Sequence, residues 1–326
     1  MSLSELKAKA YYKLVITLRR LTGHLPPPMT AKSYTFVDRR KGAENLMLVL
    51  AGFQPFYWDV ILARVKKAQE QFGEELDVCV CLPKGVDGAF DKLKGKCEKY
   101  DWSLLDIHKD LLAQAQNTAI MLHPNAKWIF KIDEDIIVPP NFFSGLKHSY
   151  LNLEKDDSKY YDIGFMGPLI NLNGCGTPVF LKSIGKVEDF DKKYGKFHVD
   201  GINFDHSPVH GSGDFATDVW KESMPFDSKA SEIAEKNEGS TTICPSRFSI
   251  GAMLFTRYFW NHINGFQVGT IGAMGVEEIQ VNNWCQTNFY GIYLANDVLC
   301  GHLGFFGQKK ACREFFEEHK RELMPE

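Results

Sequence analysis

The residues with the clearest chemical potential in this sequence of 326 amino acids are the acidic pair in Phe130-Lys-Ile-Asp133-Glu134-Asp135-Ile-Ile-Val-Pro139-Pro140. Side chains at i and i+2 of an extended chain point the same way, so Asp133 and Asp135 are expected to converge where an apolar strand runs out. Two hard oxygen ligands side by side suit Mg2+ or Mn2+, with a substrate diphosphate completing the shell. The pattern is not specific by itself, since a chain of this length shows roughly one Asp-x-Asp by chance. Asp189-Phe190-Asp191 fits it too. That second pair lies in a charged stretch from Lys186 to Lys196 with no buried strand feeding it, and reads as a solvated surface loop.

The elements that must position the first pair follow from the apolar pattern. Leu46–Leu50, Asp77–Leu82 and Trp128–Ile132 read as buried strands, and Val60–Phe72 and Ile107–Leu122 as helices. Continuous apolar runs alternating with amphipathic helices predict parallel strands covered on both faces, an α/β nucleotide-binding half over 45–149. Residues 150–247 are rich in Gly, Asn, Asp and Lys. With strand-like Ile163–Met166 and Pro178–Leu181 and little helical periodicity before Asp227, they predict a loop-rich inserted substrate region. After Pro245 the periodicity returns: Ser249–Thr256 as a strand, Arg257–Ile263 and Glu277–Phe289 as helices, Leu294–Leu299 as a strand, together a closing half over 248–326.

Composition narrows the function classes. The chain is 44% hydrophobic and 24% charged, with 38 Lys+Arg against 41 Asp+Glu and a net charge of −3, as in a folded globular protein. Residues 1–40 carry eight basic side chains against two acidic ones, so the remainder is acidic and offers no basic stripe with interleaved aromatics for nucleic acid. The apolar runs are too short to span a membrane. Leu3, Leu6, Tyr11, Leu14, Val15, Leu18 and Leu21 predict a basic amphipathic helix over 1–24, followed by a linker over 25–44 that includes Pro26-Pro27-Pro28. Lys13 splits the apolar stretch and Arg19-Arg20 stand where a cleavage site belongs, so this start does not read as a secretion signal. The eight cysteines are scattered without any Cys-x-x-Cys and read as reduced, buried thiols of a cytoplasmic protein.

Beyond the acidic pair, Asp106-Ile-His-Lys-Asp110-Leu-Leu-Ala-Gln-Ala-Gln-Asn117, then a Trp, then Lys131-Ile-Asp-Glu-Asp135, resembles the nucleotide-sugar-dependent glycosyltransferases of the GT-A fold, in the spacing of the β-1,3-galactosyltransferase and Fringe-like families. Ser249-Ile-Gly251-Ala252-Met-Leu-Phe-Thr-Arg257, Asn264-Gly265-Phe266 and Gly275-Val-Glu277-Glu278-Ile are similar to the acceptor-side strand, Gly-Gly-Phe turn and Glu-Asp pair of family 2 glycosyltransferases. The matched blocks span roughly residues 45–140 and 249–306 and leave 150–247 uncovered. Two departures stand out: Glu-Glu replaces Glu-Asp, and Asn-Gly-Phe replaces Gly-Gly-Phe.

The resemblance implies an α/β fold with a mixed, mostly parallel sheet flanked by helices. It also implies an inverting transfer from a nucleotide sugar, UDP-linked by family habit, to a glycan or lipid-linked acceptor. In its terms Asp135 is the direct ligand of Mn2+ or Mg2+, Asp133 touches the ribose or a metal-bound water, and His302 in Leu299-Cys-Gly-His302-Leu-Gly is a third metal-site residue that favours Mn2+. Glu278 is the general base and Glu277 its neighbour, both at a helix N-terminus, where the dipole keeps a carboxylate ionised; first-turn capping would use the same two residues. Nucleotide contacts are expected from Ala51-Gly52-Phe53-Gln54, where Gly52 admits close approach, and from Pro83, Gln114 and Asn117, with Lys131 and Glu134 beside the metal pair.

Other readings use the same residues. Haloacid-dehalogenase-type phosphohydrolases also end a strand in Asp-x-Asp, but usually continue with Thr or Val where this chain has Ile137. Sugar nucleotidyltransferases need a Gly-rich, Arg/Lys-bearing loop that is missing after Leu50. A glycan-binding, catalytically inactive module is the non-enzymatic alternative. On the glycosyltransferase reading, the basic head predicts peripheral contact with anionic lipid at the cytoplasmic face of a membrane.

Overall fold

The computed structural model describes residues 29–196, 208–245, 247–271, 274–305 and 307–325. The helix expected at 1–24, and with it the membrane contact, lies outside the described residues.

In chain order, β1 (Thr35–Val37) and β2 (Asn45–Leu50) lead into α1 (Trp58–Phe72), β3 (Leu76–Leu82), α2 (Ala89–Tyr100), β4 (Ser103–Asp106), α3 (Leu112–Leu122) and β5 (Trp128–Asp133). The middle of the chain forms β6 (Ile136–Ile137), α4 (Phe142–Glu154), β7 (Asp162–Ile170), α5 (Gly176–Ser183), α6 (Val187–Tyr194), α7 (Pro208–Gly211), α8 (Gly213–Glu222), α9 (Phe226–Lys236) and β8 (Thr241–Ile243). The last part holds β9 (Ala252–Thr256), α10 (Arg257–His262), the hairpin of β10 (Thr270–Ile271) and β11 (Met274–Gly275), α11 (Val276–Thr287), β12 (Tyr290–His302) and α12 (Lys309–Leu323).

One mixed sheet joins these elements in the order β1-β4-β3-β2-β5-β9-β7-β12-β6, with β8 also paired to β12. β4, β3, β2 and β5 run parallel, β9 runs against both of its neighbours, and β12 is parallel to β7. The fold is therefore α/β with a mixed, mostly parallel central sheet flanked by helices, as expected, and compatible with a Rossmann-like arrangement. Every residue of β2 and β3 is buried, which explains their unbroken apolar runs: helices cover both faces, so neither face needs polar alternation.

The pairing decides what can meet. The C-terminal ends of β2, β3, β5, β7 and β12 all reach one edge, where the turning-back β9 begins. Loops at that edge of an open α/β sheet are where ligands bind.

The structure corrects several expectations. The described residues of 150–247 are largely helical rather than loop-rich, and they supply β7 to the middle of the sheet. Pro178–Leu181 lies in α5, not in a strand. α5, α6 and α7 have four to eight residues, and α6 buries a single side chain, too little for two turns of visible periodicity, whereas α8 and α9 do bury periodic faces. Asp189 and Asp191 sit on the surface helix α6, where residues two apart do not share a face. Cys175 and Cys244 form a disulfide across 69 residues, while the other six cysteines are free and buried. Among the described residues no helix is long and apolar enough to cross a membrane.

Candidate active site

The carboxylate at the end of β5 is built into its place. Lys131 and Asp133 share a face of the strand, and the buried Lys131 Nζ lies 2.7 Å from Asp133 Oδ1 while donating to the Ile250 carbonyl at 2.5 Å. The Asp133 backbone N–H donates to the Gly251 carbonyl at 2.8 Å. A Cβ at Gly251 would stand 3.1 Å from Ile136 Cδ1 and 3.8 Å from Asp133 Oδ2, so this glycine lets the chain pass close to Ile136 beside the carboxylate. Desolvation raises the Asp133 carboxyl above its ordinary value; the Lys131 charge opposes this and the Asp135 charge adds to it. The Asp133 side chain keeps 38% of its exposure, so water at the open edge also opposes the rise.

Asp135 reaches the same edge by a different route. The strand stops at Asp133, and Glu134 and Asp135 form a turn, so the residue that shares Asp133's strand face is Lys131 rather than Asp135. Gln54 Nε2 donates to Asp135 Oδ2 at 3.2 Å, and the Leu303 N–H donates to the Asp135 carbonyl. His302, at the end of β12, is locked from behind: its N–H donates to Asn171 Oδ1 at 2.9 Å, and its Nδ1 lies 3.0 Å from the Leu172 carbonyl. A carbonyl only accepts, so Nδ1 carries a proton, and in the neutral form of the ring Nε2 is a bare lone-pair donor. That nitrogen stands 3.9 Å from Asp135 Oδ2, too far for a hydrogen bond. Two lone-pair donors facing each other in this way fit one divalent cation between them, and the backbone partner on Nδ1 is the support that metal-binding histidines usually have. Among the described residues no three His, Cys, Asp or Glu side chains form a ready-made cage. A two-ligand site completed by phosphate oxygens is nonetheless ordinary for Mg2+.

Several expected nucleotide contacts are part of the frame instead. Glu134 is buried and accepts from the N–H groups of Gly52, Phe53 and Gln54 at 2.9–3.0 Å and from Trp58 Nε1 at 2.7 Å. Burial raises its carboxyl and these four donors pull it back down. Its oxygens are committed to shaping the loop after β2, which removes it from the metal and nucleotide contacts. A Cβ at Gly52 would meet Leu82 Cδ1 at 2.9 Å, Gly85 Cα at 3.1 Å and the Pro83 carbonyl at 3.4 Å. Gly52 thus admits a neighbouring loop rather than a ligand, and Pro83 is buried in the same contact. Gln114 donates to the Thr30 carbonyl. Asn117 is fully buried and brackets Phe266, accepting from its N–H at 2.9 Å and donating to its carbonyl at 2.7 Å. It thereby fastens the Asn264-Gly265-Phe266 turn, where Asn264 and Gly265 both have positive φ. Phe53 differs from these: its side chain is 44% exposed at the binding edge.

The two glutamates of the first turn of α11 have different surroundings. Glu277 is 5% exposed, and its Oε2 has no hydrogen-bond partner. Desolvation raises its carboxyl, with the Lys131 charge acting downward and those of Asp133 and Glu278 upward. Its carboxylate folds back over Gly275, where any side chain would collide with it. Glu278 is 21% exposed, and its Oε1 accepts from Arg247 Nε at 2.8 Å and also from Arg247 Nη2. Oε2 receives neither donor. Arg247 is held in turn, because Asn282 of α11 accepts from the Phe248 N–H and donates to its carbonyl.

The structure thus brings Lys131, Asp133, Asp135, Glu277, Glu278 and His302 to one edge and places Phe53 beside it. Gln114, Asn117, Glu134, Gly52 and Pro83 belong to the frame. Gln54 and Arg247 complete the site. Gln54 is marked in the sequence only by following Gly52-Phe53, and Arg247 lies outside every motif. No protein-family model matches this chain, and no curated protein matches it.

Proposed function

We propose that the chain is a metal-dependent inverting glycosyltransferase that moves a sugar from a nucleotide donor, UDP-linked, to a glycan or lipid-linked saccharide acceptor. The observation that carries this reading is the convergence of Asp133, Asp135 and the Nε2 of His302 at the strand C-terminal edge of an α/β sheet, with an acidic helix N-terminus at the same edge. Asp135 and His302 hold Mn2+ or Mg2+, and that cation, when bound, offsets the charge that develops on the departing diphosphate. Lys131 holds Asp133 in position, and the exposed ring of Phe53 offers a face for the base. Glu278, whose side chain is partly exposed, takes the acceptor proton on Oε2, the oxygen outside the Arg247 pair. Glu277 Oε2 is too enclosed to meet a hydroxyl.

Cytoplasmic placement at a membrane face belongs to this proposal and rests on the basic head alone. The Cys175–Cys244 disulfide removes the support that reduced thiols would have given, since disulfides are rare in the cytosol.

The deciding experiment is Mn2+-dependent release of nucleoside diphosphate from a panel of nucleotide sugars, comparing the wild type with Asp135→Ala. Turnover in the wild type and its loss in a folded variant supports the reading, whereas equal turnover in both rejects it. The glycan-binding alternative draws on the engagement of Glu278 by Arg247, and would show sugar binding with no release.

A further inference from the structure

The disulfide lies where the two sides of the site meet. On one side, the loop after β7 carries the groups that lock His302: Asn171 Oδ1 accepts its N–H and Leu172 its Nδ1–H. The same loop runs directly into Cys175, whose N–H donates to Asn173 Oδ1 at 2.9 Å, as does that of Gly176 at 3.1 Å. On the other side, Cys244 donates its N–H to the Ile292 carbonyl, and three residues later Arg247 grips Glu278. Cys175 Sγ also lies 4.0 Å from the Arg247 carbonyl. Further along, Phe248 is strapped to α11 through Asn282, the Ile250 carbonyl takes Lys131, and the Gly251 carbonyl takes the Asp133 N–H.

We infer that Cys175 and Cys244 are a positioning pair: their disulfide fixes the spacing between the His302–Asp135 ligand side and the Arg247–Glu278 base side. The bond joins two segments that come from opposite ends of a 69-residue stretch. Each segment is anchored to one half of the chemistry by the hydrogen bonds above. Apart from the bond, the loop that follows β7 and the strand-to-strand segment that carries Arg247 have no short covalent link, and they meet through the packing of Phe248 on Gly167 and the Cys244 N–H bond to Ile292. A transfer reaction is sensitive to that spacing, because the diphosphate leaves one face of the anomeric carbon while the acceptor oxygen, losing its proton to the base, attacks the opposite face, and a displacement of about 1 Å costs on the order of 100-fold in rate. The inference about catalysis rests on the glycosyltransferase reading, while the inference about spacing does not.

The test separates the two. Peptide mapping of the full chain without reductant should recover Cys175 and Cys244 in one linked species; two free thiols would overturn the inference. Amide hydrogen exchange then compares the wild type with Cys175→Ser/Cys244→Ser in the absence of ligand. Exchange should quicken by about tenfold or more over 171–177, 247–251 and the first turn of α11, with β2, β3 and β5 protected as before. Unchanged exchange, or exchange quickened equally everywhere as from a loss of global stability, would overturn it. With donor and Mn2+, kcat of the variant should fall about 10- to 100-fold while the donor KM stays within about threefold. An unchanged kcat in a wild type that turns over would also overturn it. A wild type that consumes no nucleotide sugar defeats the glycosyltransferase reading and leaves the exchange result to decide the spacing. Should the double variant not fold, the folded wild type is reduced in place with a water-soluble phosphine. The phosphine becomes its oxide and water supplies the two thiol hydrogens, and the same exchange pattern is read.

Discussion

His302 turns its Nε2 toward Asp135 Oδ2 at 3.9 Å with its Nδ1–H committed to the Leu172 carbonyl, so that in the neutral ring two lone-pair donors face each other. Two acceptors in this relation have nothing to offer each other and a common use for a cation. His302→Ala should weaken Mn2+ binding by about 10- to 100-fold, with the fold retained, and Asp135→Ala should weaken it further. Calorimetric titration of Mn2+ in the presence of UDP measures both. Equal affinity in the wild type and His302→Ala would show that the imidazole is only a packing group.

Glu134 tests the opposite kind of acidic residue. It stands between two candidate ligands in the chain, yet four donors surround it in a buried setting. Glu134→Ala leaves those donors without a partner and should cost about 3–5 kcal/mol of stability, the range for breaking a buried charged network. Glu134→Gln keeps one acceptor oxygen but sets an amide N–H against N–H donors, and should cost about 1–3 kcal/mol. Urea unfolding measures both. A metal or nucleotide contact would give the reverse pattern, unchanged stability and lost binding.

The parts of this structure that the sequence announces are those where one local rule decides. β2 and β3 are buried on both faces, and their apolar runs say so. Asp133 and Asp135 stand out because a buried strand delivers them, although the turn at Glu134 and Asp135 replaces the strand alternation that was expected to align them. β7 is harder, since Gly164, Gly167 and Pro168 within it look like loop residues. Gly167 is there because the Phe248 ring presses on it, with a Cβ falling 2.4 Å from that ring. Such a requirement exists only after the chain has folded. Arg247 is invisible for the same reason: its partner Glu278 is 31 residues away, and no periodicity links them. Gln114 and Asn117, three apart on α3, do lie on one face as their spacing implies, but that face meets the chain around Met29 and Phe266 rather than a ligand.

The glutamate pair predicts a division of labour that can be read by pH. Burial raises Glu277 above the ordinary 4.5, so the folded protein holds this proton more tightly than the unfolded chain does. The stability this contributes is fully present below about pH 4.5 and is lost as pH rises through the raised folded value. Glu277→Gln abolishes that loss, and near pH 8 the variant should be more stable than the wild type. Urea midpoints of both proteins across this range measure it, and parallel profiles would contradict it. Glu278→Gln should reduce kcat about 100-fold or more, as loss of a general base does.

Lys131 is the buried cation facing this acidic cluster, and its removal makes the final prediction. Its Nζ sits 2.5 Å from the Ile250 carbonyl and 2.7 Å from Asp133 Oδ1, and its charge also acts on Glu277. Lys131→Met fills much of the same volume but leaves two carboxylates to repel each other without a counter-ion, which should cost about 3–5 kcal/mol near neutral pH. Both carboxyls, already raised, rise further in the variant. A raised carboxyl stabilises the fold while it is protonated and ceases to do so as pH increases, so the deficit should be smaller near pH 5 than near pH 8. Mn2+ with UDP supplies positive charge to the same edge and should restore part of the loss through binding to the folded state alone. Unfolding midpoints at the two pH values, with and without Mn2+ and UDP, give the answer. A deficit independent of both would mean that Lys131 acts by packing and by its bond to Ile250, and not as the counter-charge of the site.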